Sequence, residues 1–203
     1  MIYLLGGPPR VGKSIIAGEI RRRFAVSVVS TDTLGAVLES VLSPGEAPDL
    51  FAFGGMSMAE RTMTDPAQLV EGLIRESRVV WTAVEAFARR EHAEGRDALI
   101  EGVAVLPELV SRLEEVPHRA VFLGNQGERV QENIKSAAAR NAQDWMRGVS
   151  DPDIAAFAML VRRMSARIEQ EAEEFGFEYI ELGDIPFEAA TEAVMRALGL
   201  GGR

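Results

Sequence analysis

The chain has 203 residues, a formal net charge of −9 from 22 basic and 31 acidic side chains, two histidines and no cysteine. That length suits a single domain able to bury a core without covalent staples. The missing thiols exclude disulfides, thiolate zinc sites, iron–sulfur clusters and a cysteine nucleophile, and two histidines leave no histidine-rich metal site. The acidic balance speaks against a dedicated nucleic-acid partner, but it leaves room for one basic pocket, because local charge differs from net charge.

The apolar start, Met1-Ile2-Tyr3-Leu4-Leu5, runs straight into Gly6-Gly7-Pro8-Pro9. A short buried strand followed by a tight loop is expected there. The start lacks the basic residues and cleavage site of a signal peptide, and no apolar run approaches the ~20 residues of a membrane span. A cytoplasmic protein with no membrane partner is the expectation.

Ser14–Phe24 has helical spacing of Ile15, Ile16, Ile20 and Phe24, with Arg21-Arg22-Arg23 in its last turn, where cations suit the helix dipole. Val26–Val29 reads as a second strand and Thr33–Val41 as a helix. Residues 43–65, rich in Pro and Gly, read as a long irregular connection of the kind that often carries function. Pro66–Glu94 reads as one long helix ended by Gly95. Ala98–Ile100 is a third strand running into Glu101-Gly102, Leu106–Leu113 a short helix, and Arg119–Leu123 a fourth strand. Glu128–Arg147 and Asp151–Phe175 read as helices on either side of Gly148-Val149-Ser150, the second capped by Asp151 ahead of Pro152. Glu178–Leu182 is a fifth strand and Pro186–Leu198 a final helix. Strands alternating with helices imply βαβ units and a parallel sheet.

The decisive motif is Gly7-Pro8-Pro9-Arg10-Val11-Gly12-Lys13-Ser14, which matches G-x-x-x-x-G-K-[ST] at every fixed position. It follows an apolar strand and opens an amphipathic helix, the context the pattern requires. Each fixed residue has a physical task. Glycines allow the backbone to turn its amides around a phosphate, and the helix that follows presents free amides and a positive dipole end. Lys13 reaches the β- and γ-phosphates, and the Ser14 hydroxyl binds Mg²⁺. ATP with Mg²⁺ is the expected ligand pair.

In parallel α/β sheets ligands gather at the carboxyl ends of the strands, where Asp32 and Glu101 fall. Glu101 stands where a carboxylate would serve the Mg²⁺ shell or activate an acceptor, and Asp32 is the better placed for an acceptor hydroxyl. The plainer role for Asp32 is a helix N-cap after Ser30-Thr31, and for Glu101 a solvated loop acid. Arg129, Arg140 and Arg147 lie in the helix–break–helix stretch, where arginines of a mobile lid would neutralise a transferring phosphoryl group; Arg140 and Arg147 are the candidates for catalysis. Trp81 and Trp145 read as packing residues.

These segments resemble the P-loop small-molecule kinases of the nucleoside-monophosphate-kinase class. The resemblance is carried by residues 6–14, Ile15-Ile16-Ala17, Ser30-Thr31-Asp32-Thr33 and Ile100-Glu101-Gly102-Val103, and it is nearest to the 2-phosphoglycerate-kinase-like group. It covers the first half of the chain. Gly35 stands where that group carries an arginine after its Thr-Asp-Thr, and Ala104 where it carries a histidine after its Glu-Gly-Val. The resemblance implies a three-layer α/β P-loop fold over residues 1–203. Such a fold has a five-stranded parallel sheet, an acceptor-side loop at 43–65 and a helical lid at 125–150. It also implies γ-phosphoryl transfer from ATP to a hydroxyl or phosphate of a small molecule such as 2-phosphoglycerate. A nucleotide-binding switch or ATPase, and a toxin-like or antibiotic-modifying phosphotransferase, share the same loop and are the alternatives.

Overall fold

The computed structural model describes residues 1–183 and 185–201. Its centre is a five-stranded, all-parallel sheet in the order β2-β3-β1-β4-β5. The strands are β1 (Ile2–Gly6), β2 (Ser27–Ser30), β3 (Ala98–Gly102), β4 (His118–Gly124) and β5 (Glu178–Glu181). The helices are α1 (Lys13–Arg23), α2 (Thr31–Val41), α3 (Met58–Met63), α4 (Pro66–Ala93), α5 (Pro107–Val110), α6 (Val130–Arg140), α7 (Asp151–Phe175) and α8 (Phe187–Ala197). Helices on both faces explain why the inner strands are apolar throughout rather than alternating. Ile2, Leu4, Leu5, Leu99, Ile100, Phe122 and Leu123 are all fully buried.

Register places the functional ends together. β3 lies between β1 and β2, with Glu101 paired to Leu5 on one side and to Ser30 on the other. The loops leaving β1, β2 and β3 therefore open at one level on the same edge of the sheet. The chain leaves β1 toward the β2 edge and leaves the adjacent β4 toward the β5 edge, which makes this pair the switch point at which open α/β sheets bind ligands.

Gly102 shows how tightly this edge is built. Its φ of 149° is one that side chains rarely adopt. A Cβ there would lie inside the side chain of Thr31, which is itself buried and accepts a 3.4 Å hydrogen bond from the Ala104 amide. The strand-end glycine thus lets β3 and the start of α2 meet.

Four departures from the sequence reading have a local reason, and in a fifth the short helix expected over Leu106–Leu113 is confined to Pro107–Val110. α2 starts at Thr31, because Ser30 is the cap: its Oγ accepts from the Thr33 amide at 3.1 Å, which leaves Asp32 in the first turn with its carboxylate uncommitted to capping. The 43–65 connection contains a 3₁₀ turn at Pro48–Phe51 and the helix α3, the latter nucleated by a reciprocal Ser57–Glu60 capping box. The helix expected to reach Arg147 stops at Arg140. Beyond it the side chains of Asn141 and Asp144 accept from the amides of Gln143 and Met146, and such local bonds compete with helix continuation. Finally, α7 is capped by Ser150 rather than Asp151, with Pro152 in the first turn.

Among the described residues no helix is long and apolar enough to cross a membrane. Gly102→Ala is expected to destabilise the fold by about 3 kcal/mol, from overpacking added to an unfavourable φ. For a chain of this size that is a fall in Tm of roughly 6–12 °C, read by thermal denaturation. An unchanged Tm would mean that the β3–α2 contact is not the tight one described.

Candidate active site

The turn after β1 is shaped by backbone geometry before any side chain acts. Gly7 has φ 146° and Gly12 φ 90°, and a Cβ on Gly7 would sit 2.6 Å from the Leu123 carbonyl oxygen. α1 begins directly after Gly12, whose carbonyl accepts from the amides of Ile15 and Ile16, both at 3.1 Å. The amides of the first turn have no intrahelical acceptor, so the loop and helix end form a positive concavity suited to an anion.

Lys13 lies inside that curve, only 6% exposed, with its ammonium donating to the Pro8 carbonyl at 2.7 Å. Burial pulls its pKa down to about 8, against the opposing pull of the Glu101 and Asp32 carboxylates. Glu101 is 5% exposed. Desolvation pushes its carboxyl above the usual range, while Lys13 and a hydrogen bond from Ser14 push the other way and Asp32 adds to the rise. One loop and two strand ends thus converge on a buried cation–carboxylate pair, with a hydroxyl and a second carboxylate beside it.

Around these groups is a cavity of about 700 Å³. Its walls include Pro9, Arg10, Gly12, Lys13, Ser14, Asp32 and Glu101 from the strand ends. α2 contributes Asp32, Gly35, Ala36 and Glu39, and α4 contributes Leu73, Glu76, Ser77 and Val80. Both sets follow i, i+3, i+4, i+7 spacing, one helix face each. Phe53 closes the side formed by the 43–65 connection. Ala137, Arg140, Asn141, Asp144 and Trp145 close the side formed by the end of α6 and the turns after it.

Several expected residues are therefore brought together: Lys13, Ser14, Asp32, Glu101 and Arg140 all face one cavity. Arg140 is exposed, and among the described residues it makes no ion pair. Arg147 is exposed and does not line the cavity. Arg129 pairs with Glu132 at 3.6 Å along its own helix. Arg10 is held by Asp144 through two bonds from Nη1, at 2.8 and 2.9 Å. Burial would raise the Asp144 carboxyl, but the Arg10 bonds and the Met146 amide outweigh it, so it lies below the usual range.

Sequence reasoning missed four contributors. Trp145, read as packing, is 52% exposed; it lies 6.0 Å from the Arg10 guanidinium and edge-on to Phe157 at 5.5 Å. Asp144, Glu39 and Glu76 carried no motif. The signal available for Glu39 was its place two turns beyond Asp32 on one face of α2.

Ser14 and Glu101 also supply the donor chemistry for a divalent cation. A hard ion such as Mg²⁺ takes few protein oxygens and keeps water and phosphate oxygens as its other ligands, which suits one hydroxyl bonded to one carboxylate. The described residues contain no cluster of three or more acidic, histidine or cysteine ligands, so no all-protein metal cage is formed among them.

The fold is that of the P-loop kinases. Shikimate kinase from Bacteroides thetaiotaomicron superposes with a TM-score of 0.54, covering 98% of this chain and 97% of that one at 15% identity. A sugar kinase from Janibacter sp. HTCC2649 does so with a TM-score of 0.54, covering 98% and 93% at 16% identity. In sequence, the chain is similar to curated proteins named 2-phosphoglycerate kinase. That of Pyrococcus horikoshii is 35% identical over 113 residues, 54% of this chain and 37% of the relative. That of Thermococcus kodakarensis is 26% identical over 206 aligned positions, 96% of this chain and 65% of the relative. The chain thus spans between about a third and two thirds of the length of these curated relatives. No protein-family model matches it.

Because Lys13 titrates near pH 8 and a polyphosphate favours its charged form, nucleotide binding should raise its pKa and take up a proton around pH 8–9. ATP titrations by calorimetry in two buffers of different ionisation enthalpy measure this directly. Proton release, or no exchange in that window, would show that Lys13 does not meet the phosphates.

Proposed function

We propose that the chain is an ATP- and Mg²⁺-dependent phosphotransferase acting on a hydroxyl of a small molecule. The observation that carries this reading is the placement of the Gly7–Ser14 loop, Glu101 and Asp32 around one end of a cavity that continues well past them. A simple nucleotide hydrolase has no need of that further volume.

In this reading the triphosphate lies along residues 7–14. The loop amides and the α1 dipole hold the β-phosphate, and Lys13 bridges toward the γ-phosphate. Ser14, with Glu101 beside it, would hold a Mg²⁺ ion, which would supply positive charge against the phosphate oxygens. The acceptor enters between α2 and α4 with its hydroxyl at Asp32. The hydroxyl oxygen forms a new bond to the γ-phosphorus as the bond from that phosphorus to the β–γ bridging oxygen breaks. ADP departs with the bonding pair, and the hydroxyl proton passes to the Asp32 carboxylate. Arg140, from the segment over the cavity, balances charge on the transferring group, and the apolar walls exclude water that would otherwise accept the phosphoryl. Arg147 is an outer member of the same segment, and residues 125–150 act as a lid hinged at Gly148, whose φ is 81°.

The relatives' printed name makes 2-phosphoglycerate the first acceptor to assay. The switch or ATPase alternative predicts steady hydrolysis without an acceptor.

Two variants test the assignment. Lys13→Ala should weaken ATP binding by on the order of 100-fold or more, because the point charge on the β- and γ-phosphates is lost. Asp32→Asn should lower acceptor-dependent kcat by about 10²–10⁴-fold, with ATP affinity changed less than about threefold, as for loss of a general base. Both are read by nucleotide titration and by coupled ADP release. Asp32→Asn at full rate would remove Asp32 from the chemistry.

A further inference from the structure

The cavity carries two groups of charges. Around the Gly7–Ser14 loop, Lys13 and Arg10 stand with the carboxylates of Asp32, Glu101 and Asp144, the last bonded to Arg10, and Arg140 also lines the wall. At the other end, away from the loop, stand Glu39 on α2 and Glu76 on α4, with Phe53, Leu73 and Val80 as apolar wall. Glu39 and Glu76 face each other across Gly54: carboxylate oxygens of both lie within 3.8–3.9 Å of the position a Cβ on Gly54 would take. Their proximity is also electrostatic: burial raises the Glu76 carboxyl, the Gly54 and Phe53 amides lower it, Glu39 raises it, and Arg61 lowers it from the side away from the cavity wall.

No cation among the described residues faces them from the cavity. Arg61 acts on Glu76 from outside the wall. It stacks on the Phe53 ring at 4.1 Å and donates to the Phe53 carbonyl at 3.1 Å, and it is not part of the cavity wall. Arg75 pairs with Asp49 at 3.2 Å, also outside the wall. Gly35 and Ala104, which line the cavity, contribute no charge. Glu76 accepts the amides of Phe53 and Gly54 on Oε2, both at 3.0 Å, so the carboxylate is fixed in place and its second oxygen carries no bond from those amides.

We infer that the acceptor is a hydroxyl compound bearing a positively charged amine, held by Glu39 and Glu76 while its hydroxyl meets Asp32. The inference rests on the phosphotransferase reading and names the substrate class of that site. Two carboxylates whose one cationic neighbour, Arg61, lies outside the cavity wall repel a phosphorylated or carboxylated acceptor. They hold an ammonium with charge-assisted hydrogen bonds, since an ionised carboxylate only accepts and an ammonium only donates. Size follows from the helix. Asp32 and Glu39 are two turns apart on one face of α2, about 10 Å of axial rise, so side chains leaning inward match an amino sugar rather than a two-carbon amino alcohol.

Glucosamine, glucose and 2-phosphoglycerate separate the cases. The first two differ at C2 by an ammonium against a hydroxyl, and the third carries the opposite charge. Acceptor-dependent ADP release is measured with each at saturating Mg²⁺·ATP. The expected kcat/KM for glucosamine exceeds that for glucose by about tenfold or more, and 2-phosphoglycerate is the poorest. Glu39→Gln should bring the glucosamine-to-glucose ratio down toward one. A ratio within one preparation does not depend on how much of the variant folds. A native ratio near one, faster turnover of 2-phosphoglycerate, or an unaltered ratio in Glu39→Gln each overturns the inference and leaves the phosphotransferase standing. Steady ATP hydrolysis that none of the three alters overturns both.

Discussion

A lysine ammonium held almost wholly out of water is the constraint on which the site depends. Charge in that position is unfavourable unless something nearby favours the protonated form. Here the partners are the Pro8 carbonyl, in direct contact, and the Glu101 and Asp32 carboxylates, acting through space. The balance leaves Lys13 easier to deprotonate than a free lysine. A polyphosphate would tip that balance back, because it supplies the counter-charge that the protein provides only in part. The same reasoning applies with opposite sign to Glu101, whose burial disfavours its anion and whose neighbours Lys13 and Ser14 favour it. Each of the two buried charges is tolerable because of the other.

The sheet makes the pairing unavoidable. β1 ends in the loop that delivers Lys13, and its neighbour β3 carries Glu101 just before its last residue, the glycine that admits Thr31. β2, on the far side of β3, ends where α2 begins, and Ser30 caps that helix so that Asp32 is left for other work. Three chain segments distant in sequence meet because parallel strands in this order end level with one another.

This part of the molecule was legible in the sequence. The loop pattern fixes its own geometry, and strand ends in an alternating α/β chain are where ligands collect, so Lys13, Ser14, Asp32 and Glu101 follow from local spacing and one topological rule. The remainder depends on contacts that no local pattern encodes. That Glu39 and Glu76 meet is decided by how α2 packs on α4. Trp145 faces the cavity because α6 ends at Arg140, which in turn follows from Asn141 and Asp144 bonding to nearby amides. α3 was legible in principle, since Ser57 and Glu60 form a standard capping pair, but the surrounding glycines and prolines masked it.

The Arg10–Asp144 pair links these two levels. Arg10 belongs to the Gly7–Ser14 loop and Asp144 to the turns beyond α6, so their two hydrogen bonds tie the segment over the cavity to that loop. Trp145, next in sequence, lies near the same guanidinium and rests on Phe157 of α7. An arginine in that position answers to two anions: the carboxylate that holds it and any phosphate that enters the loop. If a phosphate draws Arg10 inward, the turns carrying Asp144 and Trp145 are drawn with it or released from it, and the end of α6 with Arg140 moves accordingly. Such a coupling would add to a hinge at Gly148 rather than replace it. It follows from placing one cation where two anions compete for it.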